Sequence, residues 1–171
     1  GRRFAIRHCA NSGAMLSYRD EMCLDMVRPG LLLFGLYPGT ETGGLSLRPV
    51  MSLKTRVSAI TTHQPGESIS YGCRFTCTRP TRLAVLPIGY ADGLLRAIGN
   101  GGRVRVGAHY APFIGRISMD ASAISLRGIS SADCREAVIF GKDPADLFAL
   151  AAAADTIPYE LLAGLGQRIM R

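Results

Sequence analysis

The chain has 171 residues, of which 47% are hydrophobic and 19% are charged, and its formal net charge is +7. This balance supplies enough apolar material for a packed core and excludes an intrinsically disordered chain. The charge comes almost wholly from arginine, since Lys54 and Lys142 are the only lysines. The arginines are dispersed and only 7% of the residues are aromatic, so the sequence favours attraction of small anions over nucleic-acid binding.

The sequence contains no recognisable membrane or export signal. Its apolar runs are far shorter than the roughly 20 residues of a membrane-spanning helix, and no secretory leader is visible. We therefore expect a cytoplasmic protein with no membrane partner. Gly1 in place of an initiator methionine predicts a truncated or processed chain. The five cysteines lack Cys-x-x-Cys and zinc-ligand spacing, which favours reduced, mostly packed thiols and no metal.

The first 45 residues alternate between strand and helix signals. Residues 4–9 are predicted to form a short buried strand, and Ser12 to cap a helix that continues through Met22. A second apolar strand is predicted for residues 31–36. Strand, helix and strand in succession are typical of a barrel or a doubly wound sheet. Proline and glycine residues in the segment 38–44 then predict a domain boundary between residues 45 and 46.

After that boundary the pattern changes to β. The predicted strands are short, contain β-branched or aromatic residues and are separated by glycine and proline turns; they comprise residues 52–62, 82–88, 104–106, 110–117 and 137–140. Asp143 before Pro144 predicts a capped helix start. A last helical turn is predicted for residues 158–162, ending near Gly164. The sequence therefore predicts a mainly β domain over residues 46–171.

Five short motifs stand out against this background. They are Ser70-Tyr71-Gly72, Pro87-Ile88-Gly89-Tyr90-Ala91-Asp92-Gly93, Gly115-Arg116-Ile117-Ser118-Met119-Asp120, His8-Cys9-Ala10-Asn11-Ser12 and Val27-Arg28-Pro29-Gly30. Together they resemble bacterial alanine racemase, an enzyme dependent on pyridoxal 5'-phosphate, along nearly the whole chain. The resemblance implies that residues 1–45 are the last strand-helix-strand piece of the cofactor-binding (β/α)8 barrel. Residues 46–171 would be the family's C-terminal β domain.

One feature of the family is missing from this chain. The family's cofactor lysine lies in a Val-Val-Lys-Ala-Asn-Ala-type segment near the start of its barrel, and neither Lys54 nor Lys142 lies in such a segment. The resemblance therefore implies the C-terminal portion of an isomerase that is inactive without the missing part and does not bind the cofactor covalently. In the family, the barrel of one subunit and the β domain of the other form each active site. A homodimer is therefore expected.

Tyr71 is the candidate catalytic residue. Taken alone it would be interpreted as a half-buried strand residue. The resemblance implies instead that it is the second of two bases in the interconversion of L- and D-alanine for peptidoglycan precursors. A planar carbanion can be reprotonated from either face, so racemisation needs a proton-transfer group on each side. Tyr71 would serve one face and the missing lysine the other.

The resemblance also implies a set of cofactor-binding residues. Arg28 would face the pyridine nitrogen, where a permanent guanidinium charge keeps that nitrogen unprotonated. The backbone of Gly30 and Leu31 would approach the phosphate, and the Ser12 hydroxyl would bind it at a helix start. The Tyr159 hydroxyl would reach the same phosphate. Without the family, these residues would be interpreted as a surface arginine, a turn, a helix cap and a packing tyrosine.

Substrate contacts are implied for a further group of residues. The Met119 backbone N–H would bind the substrate carboxylate close to Tyr71. Four residues match the lining of the family's substrate entryway, where charge would attract a carboxylate and narrow walls would exclude larger side chains: Tyr90, Arg96, Arg116 and Ile157. Asp92 and Asp120 are expected to hydrogen-bond within the site and not to bind metal.

Two other functions are compatible with these residues. A serine or broad-specificity racemase of the same fold would differ only in the residues that contact a methyl or a hydroxymethyl group. Alternatively, the chain could be a non-catalytic β module that only mediates an interaction.

Overall fold

The computed structural model describes residues 4–130, 133–141 and 143–170. Backbone contacts divide the chain into an N-terminal unit, Gly1–Met51, and a C-terminal unit, Ser52–Arg171. Lys142 lies outside the described residues. No helix among those residues is both long enough and apolar enough to cross a bilayer.

The N-terminal unit contains short helices. Helix α1 spans Ser12–Ser17, helix α2 spans Arg19–Met22, and Leu31–Phe34 forms a 3-10 helix. The predicted helix start was one residue too late, because the cap of α1 is Asn11 and Ser12 is already helical. Asn11 has an extended backbone, and its side-chain oxygen accepts a hydrogen bond from the Ala14 N–H at 3.0 Å, which is the geometry of an N-cap.

Both strands predicted for this unit are wrong. Residues 4–9 form no strand and their side chains are exposed, and the segment 31–36 begins with the 3-10 helix instead. Strand pairing among residues 4–51 is limited to one parallel bridge between Asn11 and Arg28, where the Arg28 N–H donates to the Ala10 carbonyl at 2.9 Å. A strand needs neighbours for its backbone groups, and a short apolar run alone does not distinguish strand from helix.

The C-terminal unit is mainly β, which confirms the predicted fold class. In chain order its strands are β1 (Leu53–Arg56), β2 (Ala59–His63), β3 (Ser68–Ile69), β4 (Phe75–Thr76), β5 (Thr81–Leu86), β6 (Arg103–Val106), β7 (His109–Ile114), β8 (Ser122–Ser125) and β9 (Glu136–Phe140). Seven strands form one antiparallel sheet in the order β1-β9-β6-β7-β8-β5-β2, and β3 pairs with β4 separately.

The structure divides one predicted strand and adds three that were not predicted, namely β3, β4 and β8. The segment 52–62 becomes β1 and β2, which lie at opposite edges of the sheet because β1 pairs with β9 and β2 with β5. Strand β8 was not predicted, since its Ser-Ala-Ile-Ser sequence has little β character. Its strand conformation comes from pairing with β5 on one side and β7 on the other.

Buried apolar side chains join the sheet to the small hairpin. Ile69 and Cys77 pack with Leu83 and Ile114, and all four are less than one-tenth exposed. Burial of each of the three aliphatic side chains stabilises the fold by about 1.5–3 kcal/mol relative to an exposed position. All five cysteines are free, as predicted, but only Cys77 and Cys134 are buried. The expectation of mostly packed thiols was therefore wrong.

Two helices follow the last strand. Helix α3 spans Pro144–Ala153, and the Asp143 side chain caps it by accepting a hydrogen bond from the Ala145 N–H at 3.0 Å. Helix α4 spans Pro158–Ala163 and ends at Gly164. Both predicted helices are confirmed. They could be predicted because an aspartate cap and a proline in the first turn are signals from neighbouring residues.

A buried carboxylate anchors α3 to the sheet. Asp146 on α3 accepts hydrogen bonds from the Tyr110 hydroxyl at 2.7 Å and from the Arg105 guanidinium at 3.1 Å. The guanidinium groups of Arg103 and Arg105 lie 4.8 and 5.1 Å from the centre of the Tyr110 ring. The hydrogen bond to Asp146, followed by partial desolvation, raises the pKa of Tyr110.

Tyr110→Phe tests this anchor through its pH dependence. A phenol whose folded pKa is raised above the unfolded value of about 10 contributes stability below pH 10 and loses it above that value. We expect Tyr110→Phe to be less stable than the wild type at neutral pH, with a difference that shrinks above about pH 10. Urea unfolding across this range measures it, with Tyr18→Phe as an exposed control. A pH-independent difference would contradict the prediction.

Candidate functional site

Tyr71 begins a short 3-10 turn, Tyr71–Cys73, directly after β3. The preceding Ser70 has φ +66° and ψ 179°, a conformation that is rare for any residue with a side chain. Its hydroxyl donates a hydrogen bond to the Arg116 carbonyl at 2.7 Å and accepts one from the Arg116 N–H at 3.1 Å. These two bonds tie the Tyr71 turn to the loop that contains Met119.

The side chain of Arg116 lies against the same turn. Gly72 has φ +72°, and a Cβ at this position would be 3.7 Å from the guanidinium carbon of Arg116. The left-handed backbone favours glycine here, whereas the guanidinium itself is only at ordinary contact distance from such a Cβ. The charge of Arg116 therefore lies beside the Tyr71 turn.

Sheet register brings two further motif loops together. Leu86, at the end of β5, pairs with Ser122, and Ile114, at the end of β7, pairs with Ala123. The loop after β5 and the loop between β7 and β8 therefore leave the sheet at the same end. The Tyr90 N–H donates to the Ser118 carbonyl at 3.0 Å, and the Ala91 N–H donates to the Met119 carbonyl at 2.8 Å.

Glycine and aspartate shape the Tyr90 loop. A Cβ on Gly89 would lie 2.2 Å from the Ser118 carbonyl oxygen and 2.5 Å from the Met119 carbonyl carbon, so only glycine allows this approach. The buried Asp92 carboxylate accepts a hydrogen bond from the Gly89 N–H at 2.9 Å. Asp92 therefore forms a hydrogen bond within the Tyr90 loop.

The two residues predicted to contact a substrate have exposed side chains. Tyr71 is 72% exposed and Met119 is 56% exposed. The Met119 N–H donates to no acceptor among the residues that the structure describes, so this backbone donor is available to a ligand.

The remaining predicted residues of this unit lie on a 3-10 helix and at the start of α4. Arg96 begins a 3-10 helix, Arg96–Asn100, and lines one cavity together with Arg116. Ile157 lies at the N-cap of α4, and Tyr159 lies in its first turn. The chain after α4 returns to the Tyr90 loop, where the Gly166 N–H donates to the Asp92 carbonyl at 3.0 Å.

In the N-terminal unit, the structure brings Ser12 and the Gly30 segment together. The buried Ser12 hydroxyl accepts hydrogen bonds from the Gly30 N–H at 2.8 Å and from the Leu32 N–H at 3.4 Å. The Gly13 and Leu31 N–H groups donate to no acceptor within residues 4–51. A hydroxyl group and free backbone donors in one place form a site suited to a phosphate.

Arg28 lies beside this group of donors. One of its guanidinium nitrogens donates to the Cys9 carbonyl at 3.2 Å, and the rest of the side chain is exposed. Residues 4–130, 133–141 and 143–170 contain no cluster of three or more histidine, cysteine, aspartate or glutamate side chains arranged to hold a metal ion.

The C-terminal unit is a mainly β domain with paired loops at one end of its sheet. Comparison with known families shows which class of protein has this domain. Residues 50–171 match the family described as "Alanine racemase, C-terminal domain". Residues 1–38 match the family described as "Alanine racemase, N-terminal domain". The chain therefore belongs to the alanine racemase family, a group of isomerases that depend on pyridoxal phosphate.

Individual relatives agree with this assignment. An alanine racemase of Desulforamulus reducens is 39% identical over 174 residues, which cover 100% of this chain and 47% of that protein. The solved alanine racemase of Streptomyces coelicolor A3(2) is 36% identical, with a TM-score of 0.88 over 100% of this chain and 46% of its own. This chain thus spans about half the length of the relatives that it matches.

A third comparison concerns the cofactor. The solved alanine racemase of Bartonella henselae, described with covalently bound pyridoxal phosphate, is 32% identical, with a TM-score of 0.85. The match covers 95% of this chain and 45% of that protein. A relative with the cofactor therefore shares the fold of this chain over nearly its whole length.

Gly89→Ala tests the contact between the Tyr90 and Met119 loops. The added Cβ would overlap backbone atoms that cannot rotate away, so we expect a loss of about 1–3 kcal/mol in unfolding free energy. We also expect faster hydrogen exchange at the Ala91 N–H. Gly39→Ala is the control, since a Cβ there has nothing within 4 Å. Equal stability and exchange in the two variants would disprove the close contact.

Proposed function

We propose that the chain is the C-terminal part of an alanine racemase that interconverts L- and D-alanine in the cytoplasm and so supplies peptidoglycan precursors. The observation that carries this proposal is the exposed Tyr71, fixed by Ser70 beside Arg116 in a chain of this family. Residues 1–45 would be the end of the cofactor-binding barrel and residues 46–171 the β domain. The matched segments, which end at residue 38 and begin at residue 50, support that division.

Tyr71 would act as the base on one face of the substrate. Its phenol would remove a proton from the substrate Cα or return one to it, and a group outside this chain would serve the opposite face. The 72% exposure of Tyr71 supports this role, because the C-terminal unit does not cover the ring. A homodimer in which the β domain of one subunit faces the barrel of the other would cover it.

The residues of the N-terminal unit fit pyridoxal phosphate. Ser12, Gly30 and Leu31 would hold the phosphate through a hydroxyl group and backbone N–H groups, and Tyr159 would add its hydroxyl. Arg28 would donate to the pyridine nitrogen and, being permanently charged, would keep it unprotonated. When bound, the cofactor withdraws electrons from the substrate Cα, which makes its proton removable.

Substrate binding would use the exposed loops of the C-terminal unit. The free Met119 N–H would donate to the alanine carboxylate near Tyr71. The entryway would be lined by two charged and two apolar or aromatic side chains: Arg96, Arg116, Tyr90 and Ile157. The arginines would raise the local concentration of a carboxylate substrate, and the other two side chains would limit its size.

Tyr71→Phe in the full-length enzyme tests the catalytic assignment. A base that serves one face should be needed for proton exchange from one enantiomer only, whereas racemisation needs both faces. We expect racemisation to fall by about 10²–10⁴-fold while deuterium exchange at Cα persists for the other enantiomer. Tyr18→Phe, also exposed, is the control. Equal loss of exchange from both enantiomers, with an intact fold and bound cofactor, would show that Tyr71 does not serve one face.

The 171-residue chain alone should not bind pyridoxal phosphate covalently. Lys54 lies on β1, where its ammonium group is 3.1 Å from the Glu136 carboxylate, and neither Lys54 nor Lys142 lies in a segment that resembles the family's cofactor-lysine segment. We expect borohydride reduction with the cofactor, followed by peptide mapping, to leave Lys54 and Lys142 without stoichiometric labelling. Racemase activity accompanied by such labelling would overturn the proposal that the reactive lysine lies outside this chain.

A further inference from the structure

The peptide group between Ser118 and Met119 connects the Tyr90 loop to the proposed substrate site. Its carbonyl, that of Ser118, accepts a hydrogen bond from the Tyr90 N–H at 3.0 Å. Its N–H, that of Met119, is the donor proposed above for the substrate carboxylate. Because a peptide group is planar, a bond that holds the carbonyl also sets the direction of the N–H. The orientation of this donor therefore depends on the Tyr90 loop.

The Asp92 carboxylate holds the Tyr90 loop in shape. One of its oxygens accepts a hydrogen bond from the Gly89 N–H at 2.9 Å. In return, the Asp92 N–H donates to the Gly89 carbonyl at 3.1 Å. Asp92 is buried, and a buried carboxylate is costly unless a cation or further donors surround it. A positive partner at the second oxygen would therefore stabilise the loop.

Arg168 supplies such a partner from the C-terminal segment of the chain. Its Nε lies 3.6 Å from the second carboxylate oxygen of Asp92. The Arg168 side chain is 57% exposed, whereas that of Asp92 is only 11% exposed. An ion pair between two exposed side chains contributes little, but a carboxylate that is shielded from water is screened less by solvent and salt. Arg168 thus balances the charge that closes the Tyr90 loop.

Backbone contacts bring the C-terminal segment to this position. The Gly166 N–H donates to the Asp92 carbonyl at 3.0 Å. A Cβ on Gly166 would lie 2.7 Å from the Ala91 carbonyl oxygen, so the two backbones are too close for a side chain here. The segment therefore packs directly on the Tyr90 loop, and Arg168 follows this contact by two residues.

These contacts form a continuous chain from Arg168 to the substrate donor. We propose that Arg168 is a positioning residue for substrate binding. By holding Asp92 it fixes the Tyr90 loop, and the loop orients the Met119 N–H that binds the alanine carboxylate. A carbonyl that accepts a hydrogen bond also makes the N–H of its own peptide group a stronger donor. The role in substrate binding rests on the proposed racemase function, whereas the hold of Arg168 on the loop does not.

Kinetics of Arg168→Gln in the full-length enzyme test the role in binding. A donor that contacts the carboxylate equally in the ground state and the transition state contributes to KM and not to kcat. We expect KM for both alanine enantiomers to rise about threefold to tenfold, with kcat within about twofold of the wild type. Arg168→Lys should recover most of the loss, because it keeps a positive charge near Asp92. Arg135→Gln, the same change at another exposed arginine of this unit, is the matched control.

A double-mutant cycle connects the effect to the Asp92 carboxylate. Asp92→Asn keeps an oxygen for the Gly89 N–H and removes the charge that Arg168 balances. If Arg168 acts through this charge, the two substitutions are not additive. We expect Arg168→Gln to change KM by less than about twofold when Asp92→Asn is already present.

Hydrogen exchange in the full-length protein measures the loop without reference to activity. In Arg168→Gln, the N–H groups of Tyr90 and Ala91 should exchange about threefold to tenfold faster, because local opening of the loop becomes easier. Their exchange should be unchanged in Arg135→Gln. Amides of β7 and β8 should keep their wild-type rates in both variants.

Four results would overturn the proposal. Unchanged exchange at Tyr90 and Ala91, or faster exchange throughout β7 and β8, would show that Arg168 does not act on the loop specifically. A fall in kcat without a rise in KM, or additive effects in the cycle with Asp92, would show that it does not act on substrate binding through that carboxylate. A full-length wild type that does not racemise alanine would reject the proposed function, while hydrogen exchange would still decide whether Arg168 holds the loop.

Discussion

The two hydrogen bonds between the Ser70 hydroxyl and the Arg116 backbone are the constraint on which the candidate site depends. Ser70 has a backbone conformation that costs about 1–3 kcal/mol for a residue with a side chain. Each hydrogen bond contributes about 0.5–1.5 kcal/mol, so together they offset much of that cost. The result is a turn that presents Tyr71 to solvent and holds the Arg116 loop beside it.

Sheet register likewise holds loops of the candidate site next to each other. The pairs Leu86↔Ser122 and Ile114↔Ala123 place the Tyr90 loop next to the Met119 loop. A shift of one residue in either pairing would turn buried side chains such as Ile124 to the opposite face of the sheet. Burial of the apolar core therefore fixes the strand register, and the register fixes the relative positions of the loops. No core side chain is proposed to contact a ligand.

Charge is distributed unevenly over the C-terminal unit. The sheet and α3 share a neutralised cluster in which Asp146 balances Arg105, whereas the cavity beside Tyr71 contains three arginines and no carboxylate. The net charge of +7 does not show which arginines are paired with a carboxylate. That depends on where the structure places each arginine.

The sequence alone determined the features that depend on neighbouring residues. These include the Asp143 cap, the helix over Pro158–Ala163, the mainly β character after residue 45 and the motifs of the alanine racemase family. Tertiary structure decided which segments meet: Ser70 with Arg116, Gly89 with Met119, and Asp92 with Arg168. Local signals also misassigned residues 4–9 and 31–36, because a strand exists only where a partner satisfies its backbone. Contacts between residues far apart in sequence follow from sheet register, and local patterns do not record it.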